Sequence, residues 1–212
     1  QAGTDVLIFS LEMARAEIMA KSISRHTLQS VLATGGDIRN AKTARGITTG
    51  KRYIGYSQTE RDLINSSILE YSKYAQNIYI SEGVGDIGAE QIRETVQKHI
   101  LFTGKTPVVI IDYLQILAPY SERATDKQNT DKAVMELKRI SRDYKTPVIG
   151  ISSFNRANYK EPVTMEAFKE SGAIEYSSDI LIGLQLKGAG KKDFDANEAK
   201  RKDPREIELV IL

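Results

Sequence analysis

The feature that most constrains this chain is the alternation of short apolar runs, rich in β-branched residues, with longer segments of helical period. Six such runs predict strands, most of them buried on both faces of a sheet, over residues 6–10, 77–81, 108–112, 148–152, 179–186 and 206–212. Three segments with one apolar stripe each predict helices over residues 60–75, 88–102 and 131–144. The order predicts an α/β fold with a mostly parallel sheet flanked by helices.

The segments between these runs are less regular. Lys-Thr-Pro-Val occurs at residues 105–108 and 145–148, each time between a predicted helix and a predicted strand, which indicates two successive βαβ units. Residues 119–130 predict a polar loop. Residues 187–205 carry seven basic and four acidic side chains, which favours a solvated surface excursion over a binding arm. Residues 32–58 are too mixed for an assignment.

Composition narrows the class of protein. The 212 residues fit one domain, and 30 basic against 28 acidic side chains leave a charge of only +2, so a nucleic-acid surface must be a local patch. With no cysteine and two histidines, a zinc site, a disulfide framework and a thiol nucleophile are excluded or nearly so. This usage fits a reducing cytoplasm, and no apolar run is long enough to cross a membrane.

Both ends of the sequence coincide with predicted strands. The first strand run begins at Val6 with no initiator Met before it, and the last run stops at Leu212 without a turn or a polar tail. We therefore expect the chain to be cut from a larger domain at both ends.

Two acidic residues lie at the carboxyl ends of predicted strands. Asp112 closes the run Val-Val-Ile-Ile, and Glu12 lies two residues after the run that ends at Ser10. A carboxylate at the carboxyl end of a parallel strand is placed to hold magnesium, and a second one nearby can polarise an attacking water. Asp112 is equally compatible with a helix-capping or turn residue.

Four segments narrow these alternatives. They are FSLEM at residues 9–13, IIDYLQIL at 110–117, ISSFNR at 151–156 and KESGAIE at 169–175. In order and spacing they resemble the motor domain of DnaB-like replicative helicases, over nearly the whole chain. The combination of SLEM, IDYLQ and ESGAIE is far more specific than any single nucleotide-binding pattern.

The resemblance implies a RecA-like P-loop ATPase core that forms a homo-hexameric ring and unwinds duplex DNA during replication, by ATP-driven translocation on single-stranded DNA. Glu12 matches the catalytic glutamate of the family, and Asp112 matches the Walker B aspartate that holds magnesium with its nucleotide. Lys169, Glu170 and Gly172 match the loop that contacts the DNA backbone. ATP and Mg²⁺ are the implied cofactors, and a primase and a helicase loader are implied partners.

Two positions depart from the family pattern. Ser153 stands where the family usually has the glutamine that senses the terminal phosphate, and a serine is too short to span the same gap. Phosphate sensing at Ser153 would therefore go through water or another residue, or be weaker. Lys169 stands where the family usually has arginine, which keeps the charge and loses the two-bond grip on a phosphate.

The phosphate-binding loop G-x-x-x-x-G-K-[ST] is absent from the sequence. At Gly104-Lys105-Thr106 the first glycine of the motif would be His99, and the segment lies between a predicted helix and a strand, which is the reverse of the required order. In the family this loop precedes the SLEM strand, and a basic finger follows the strand matched by residues 207–212. We therefore expect residues 1–212 to be the middle part of a helicase ATPase domain and to be inactive alone.

Two other functions fit parts of the sequence. The first is a RecA- or recombinase-like ATPase, against which the ESGAIE segment argues. The second is a nonenzymatic docking module that has lost its phosphate-binding loop. The codons upstream of Gln1 distinguish the docking module from the helicase, since the helicase requires the missing loop there.

Overall fold

A computed structural model describes residues 3–83, 86–154, 161–168 and 172–212 of the chain. Its centre is a four-stranded sheet in the order β2-β1-β3-β4, with every neighbouring pair parallel. The strands are β1 (Val6–Ser10), β2 (Ile78–Glu82), β3 (Val108–Asp112) and β4 (Val148–Gly150). The predicted α/β class with a mostly parallel sheet is confirmed, and the predicted bounds of β1 and β3 match those observed.

Alternate residues of the central strands build the core. Leu7 and Phe9 of β1 and Val109 and Ile111 of β3 are at most 4% exposed and face the same side of the sheet. Helices α5 (Ala89–Thr103) and α6 (Asp126–Tyr144) pack there, and they contribute the apolar stripes that their sequences predicted. The buried members of these stripes are Ile92, Val96, Val134, Leu137 and Ile140.

The other helices lie before β2 and near the end of the chain. They are α1 (Arg15–Ala33), α2 (Ala44–Thr48), α3 (Gly50–Ile54), α4 (Gln58–Ala75), α7 (Gly172–Ser177) and α8 (Ala196–Arg201). Short 3-10 turns cover Ile38–Asn40, Leu114–Ile116 and Met165–Phe168. Helix α1 packs against α4. Its sequence did not predict it, because apolar and polar residues are mixed along its length.

Side-chain caps explain where two helices begin. The Thr125 hydroxyl accepts a hydrogen bond from the backbone N–H of Gln128, so α6 begins inside the stretch predicted as the loop 119–130. The Asp195 carboxylate accepts bonds from the backbone N–H groups of Asn197 and Glu198 and starts α8 inside the polar stretch 187–205. In both stretches, part of the segment that the sequence predicted as a loop is helical.

The last two strands form a separate antiparallel hairpin. Strands β5 (Ile182–Leu186) and β6 (Ile207–Ile211) pair with each other and make up a two-stranded sheet. The prediction of a strand over residues 179–186 was three residues too long, since β5 starts at Ile182. Among the described residues, no helix is long and apolar enough to span a bilayer.

One face of the central sheet is incompletely covered. Ile149 and Ile151, at β4, are 50% and 45% exposed. An open groove of about 340 Å³ runs between this face and α1. Its floor is made of Ile8, Ile110 and Ile151, and Met13, Ile18, Lys21, Ser22, Arg25 and Asp112 complete its lining.

Candidate active site

The carboxyl ends of β1 and β3 bring Glu12 and Asp112 to the same edge of the sheet. Ser10 is paired with Asp112, and the backbone N–H of Leu11 donates to the Asp112 carbonyl over 2.8 Å. Adjacent strands lie about 5 Å apart and two residues span about 7 Å at most. The Cα atoms of Glu12 and Asp112 are therefore within about 12 Å, a gap that two side chains and a hydrated metal ion can bridge.

A closed turn holds the backbone around Glu12. The hydroxyl of Ser10, which is 1% exposed, donates to the Met13 carbonyl over 2.6 Å. Leu11 is also buried and anchors the turn in the core, whereas Glu12 is exposed. The backbone N–H of Arg15 donates to the carboxylate of Glu82, at the end of β2. Neighbouring strand ends thus fix the turn and leave the Glu12 carboxylate facing solvent.

Asp112 is half-buried, and its side chain lies at the end of the groove that Lys21 and Arg25 also line. In the described ranges there is no group of three or more Asp, Glu, His or Cys side chains arranged to hold a metal ion. Magnesium does not need such a cage, because it keeps several waters and takes one or two carboxylates together with substrate phosphates. The single carboxylate of Asp112 fits that mode of binding.

Ser153 lies beyond the end of β4, which is the strand next to β3 and its last residue, Asp112. The β3–β4 pairing continues past both strands, with Ile151 N–H donating to the Ile111 carbonyl and Leu114 N–H donating to the Ile151 carbonyl, each over 2.9 Å. Glu12 follows β1, Asp112 ends β3 and Ser153 follows β4, so the three residues lie at the ends of neighbouring strands.

Gln115 contacts this segment and was not among the predicted site residues. Its amide Nε2 donates to the Ser152 hydroxyl over 2.8 Å and to the Ser153 carbonyl over 3.4 Å. Its Oε1 accepts the Ser153 backbone N–H over 3.4 Å. The signal that could have identified it is its place in the IDYLQ segment, three residues after Asp112.

The residues predicted to contact DNA are described only in part. Lys169 and Glu170 lie outside the described residues, as do Asn155 and Arg156 of the ISSFNR segment. Gly172 is the first residue of α7.

Helix α6 contacts α7 and the segment that follows it. The carboxylate of Asp131, on α6, accepts the Ala173 backbone N–H over 3.3 Å. Farther along α6, Lys138 pairs with Asp179 over 2.6 Å, just beyond the end of α7. The amino end of α7 is therefore fixed on the helix that connects β3 to β4.

The Gly104-Lys105-Thr106 segment is far from this edge. Gly104 ends α5 in the left-handed conformation, with φ of +69°. The Lys105 ammonium lies 3.3 Å from the carboxylate of Asp5, which precedes β1 at the amino end of the sheet. The segment therefore lies at the opposite edge from Asp112, and the expectation that it is not a phosphate-binding loop agrees with this placement.

Asp5 is the centre of a buried polar cluster at that amino edge. Its carboxylate is 1% exposed and accepts hydrogen bonds from the Asn77 amide over 2.8 Å and from Lys105, and it lies 3.0 Å from Nε2 of His99. The Asn77 hydrogen bond is the main cause that lowers the pKa of Asp5, and Lys105 and His99 lower it further against the opposing effect of burial. Sequence reasoning missed this cluster.

A parallel sheet with acidic and polar residues at the carboxyl ends of neighbouring strands is typical of α/β folds that bind a ligand at that edge, and it agrees with the predicted RecA-like ATPase core. Two solved structures show the same fold, each with a TM-score of 0.73, 22% identity and 99% of this chain covered. The first is a DnaB-like replicative helicase described with its interactions with primase, and this chain covers 48% of it. The second is an ATPase domain, and this chain covers 70% of it.

The family follows from the sequence match. The DnaB-like helicase C terminal domain profile matches residues 1–211, and the chain therefore belongs to that family. The replicative DNA helicase DnaC of Bacillus subtilis (strain 168) is 29% identical over 212 residues, which are 97% of this chain and 40% of that protein. The replicative DNA helicase DnaB of Pasteurella multocida (strain Pm70) is 26% identical over 181 residues, covering 84% of this chain and 35% of that protein. The chain thus spans about two fifths or less of these relatives.

Proposed function

We propose that residues 1–212 are the central part of the motor domain of a cytoplasmic replicative DNA helicase, which hydrolyses ATP and unwinds duplex DNA by translocation on single-stranded DNA. The observation that carries the proposal is the convergence of Glu12 and Asp112 from adjacent parallel strands in a member of the DnaB-like family. Its named relatives are replicative DNA helicases.

In the proposed reaction the exposed Glu12 carboxylate accepts a hydrogen bond from the attacking water and takes up its proton. The turn closed by Ser10 fixes the backbone that carries this carboxylate at the end of β1. Asp112 would hold a magnesium ion, which when bound neutralises charge on the phosphate oxygens. Ser153 lies at the next strand end and would face the terminal phosphate. The donors that cradle the other phosphates belong to the G-x-x-x-x-G-K-[ST] loop, which these residues do not contain.

For DNA we propose that Lys169, Glu170 and Gly172 contact the sugar-phosphate backbone of a single strand. The support is the match of KESGAIE to the family pattern and the anchoring of Gly172 at the start of α7. A lone ammonium at Lys169 attracts any phosphate, so this contact is independent of base sequence. A homo-hexameric ring, a primase and a helicase loader complete the proposed assembly. A structural neighbour described with its primase interactions supports the primase contact.

Paired substitutions in the complete protein test the chemistry. Glu12→Gln replaces a carboxylate by an amide of the same shape, so ATP affinity should be kept while turnover falls by about 100-fold or more. Asp112→Asn should weaken magnesium-dependent nucleotide binding as well as turnover, because it removes charge from the metal site. Glu90→Gln, an exposed change on α5, is the matched control and should leave both quantities unchanged.

The measurements are nucleotide affinity and DNA-stimulated phosphate release for each variant in the intact ring. A Glu12→Gln protein that still unwinds DNA at nearly the parental rate would reduce Glu12 to a solvated strand-end charge and overturn the proposed mechanism.

A further inference from the structure

The side-chain amide of Gln115 hydrogen-bonds to the backbone of Ser153, as the backbone of a neighbouring strand would. Among the described residues, the backbone hydrogen bonds between the β3 and β4 sides of the sheet end at Ile151, and Ser153 lies two residues beyond them. Gln115 offers one donor and one acceptor there: Nε2 reaches the Ser153 carbonyl and Oε1 receives the Ser153 N–H, each over 3.4 Å. A third bond, to the Ser152 hydroxyl over 2.8 Å, is the shortest of the set. One amide therefore grips two consecutive residues.

The backbone at Gln115 is itself fixed relative to Asp112. Leu114 is 6% exposed, and its N–H donates to the Ile151 carbonyl, so the segment from Asp112 to Gln115 is tied to β4 on one side. The short 3-10 turn Leu114–Ile116 then aims the Gln115 side chain back toward the end of β4. The distance between Asp112 and Ser153 is in this way set by one side chain in addition to the strand pairing.

This arrangement matters because the serine side chain is short. A residue that must respond to a terminal phosphate without a long side chain depends on the placement of its backbone and hydroxyl. We infer that Gln115 is a positioning residue, which holds Ser152 and Ser153 at a fixed distance from Asp112. The inference rests on the proposed function, in which the ends of β3 and β4 contact the same terminal phosphate.

The inference predicts that loss of the Gln115 side chain weakens the binding of ATP but not that of ADP. ADP lacks the terminal phosphate, so the placement of Ser153 should not matter for ADP binding. In the complete protein, Gln115→Ala should lower kcat for DNA-stimulated ATP hydrolysis by about tenfold, the size expected for loss of a small hydrogen-bonded contact in the transition state. Affinity for a nonhydrolysable ATP analogue should fall severalfold, and affinity for ADP should stay within twofold, estimates that rest on the same hydrogen-bond scale.

Shorter and longer side chains sharpen the test. Gln115→Asn keeps the amide but is one methylene too short to reach Ser152, so it should behave like Gln115→Ala. Ser152→Ala removes the partner of the shortest bond, and its effect should not add to that of Gln115→Ala, since both changes break the same contact. Gln97→Ala, an exposed glutamine on α5, is the control and should match the parent.

Two results would overturn the inference. One is a Gln115→Ala protein with the parental kcat and the parental ratio of ATP-analogue to ADP affinity. The other is an equal loss of affinity for both nucleotides together with a lowered melting temperature, which would show a merely structural role for this exposed side chain. Glu12→Gln is measured alongside: if it hydrolyses ATP like the parent, the proposed function fails, whereas a Glu12-dependent parent with a neutral Gln115→Ala variant refutes only the role of Gln115.

Discussion

Removing the buried carboxylate of Asp5 should destabilise the fold strongly, although Asp5 lies at the edge of the sheet opposite to Glu12 and Asp112. Its carboxylate joins the start of β1 to Asn77 before β2, to His99 on α5 and to Lys105 before β3. Asp5→Ala would leave these donors without their acceptor. The ring of His99, only 6% exposed, has the least access to water as a substitute.

The magnitude follows from the burial of each partner. Lys105 is 54% exposed and can turn to solvent, so its pair with Asp5 contributes little. Leaving a buried polar group without its hydrogen-bond partner costs about 1–3 kcal/mol. His99 is buried and Asn77 is half-buried, so we expect about 3 kcal/mol in the free energy of unfolding from the two together. For a chain of this size each kcal/mol lowers the melting temperature by about 2–4 °C, which gives about 6–12 °C.

The stability that Asp5→Ala loses should decrease as the pH falls. The pKa of Asp5 is lowered in the folded chain, chiefly by the Asn77 hydrogen bond, and an unfolded aspartate titrates at about 3.9. A carboxyl whose folded pKa is depressed stabilises the fold above the unfolded pKa, and this contribution is lost as the pH falls through the folded pKa. The gap in stability between the parent and Asp5→Ala should therefore be full at neutral pH and shrink below about pH 4.

Urea unfolding followed by circular dichroism, at neutral pH and at acidic pH, measures both effects. Asp5→Asn keeps the size and one acceptor oxygen and should fall between the parent and Asp5→Ala. Asp193→Ala removes an exposed carboxylate and serves as the control. If Asp5→Ala unfolds within about 0.5 kcal/mol of the parent at neutral pH, the range of ordinary surface substitutions, the cluster does not stabilise the fold and the reasoning is refuted.

Three further predictions concern activity, DNA and the ion pair of Lys42 with Glu60. The 212-residue chain alone should release no phosphate from ATP, because it lacks the phosphate-binding loop; magnesium-dependent turnover at a helicase-like rate with DNA present would contradict this. In the complete protein, Lys169→Ala should weaken single-strand binding equally for all sequences and reduce the salt dependence by about one ion, while Lys169→Arg should bind at least as well; unchanged affinity and salt slope would exclude the contact. Glu60 should titrate near its pKa of about 2, which the Lys42 hydrogen bond lowers most, and Lys42→Met should raise that value in an NMR titration.

The strands and helices of the core follow from local patterns in the sequence. The apolar runs at β1 and β3 fix where these strands lie, because every position of these strands is buried or half-buried and nearly every one is apolar. The stripes of α5 and α6 likewise depend only on residues three and four apart. For the same reason Glu12 and Asp112 could be placed at strand ends from sequence alone.

Helix starts and strand direction were less accessible to sequence reasoning. The polar stretch before Val134 hid the start of α6, since two reciprocal bonds between Thr125 and Gln128 decide it. A hydrophobic run also does not state its direction, so the antiparallel pairing of β5 with β6 was not predicted. The direction of pairing depends on how the chain returns between the strands.

Only the tertiary structure decided the two polar contacts that carry the sharpest predictions. Gln115 and Ser152 are 37 residues apart, and Asp5 and His99 are 94 residues apart. Such pairs meet only because β1 lies between β2 and β3 and β4 lies outside β3. That lateral order is set by the burial of whole strands and helices against one another, which the neighbours of a residue along the chain do not encode.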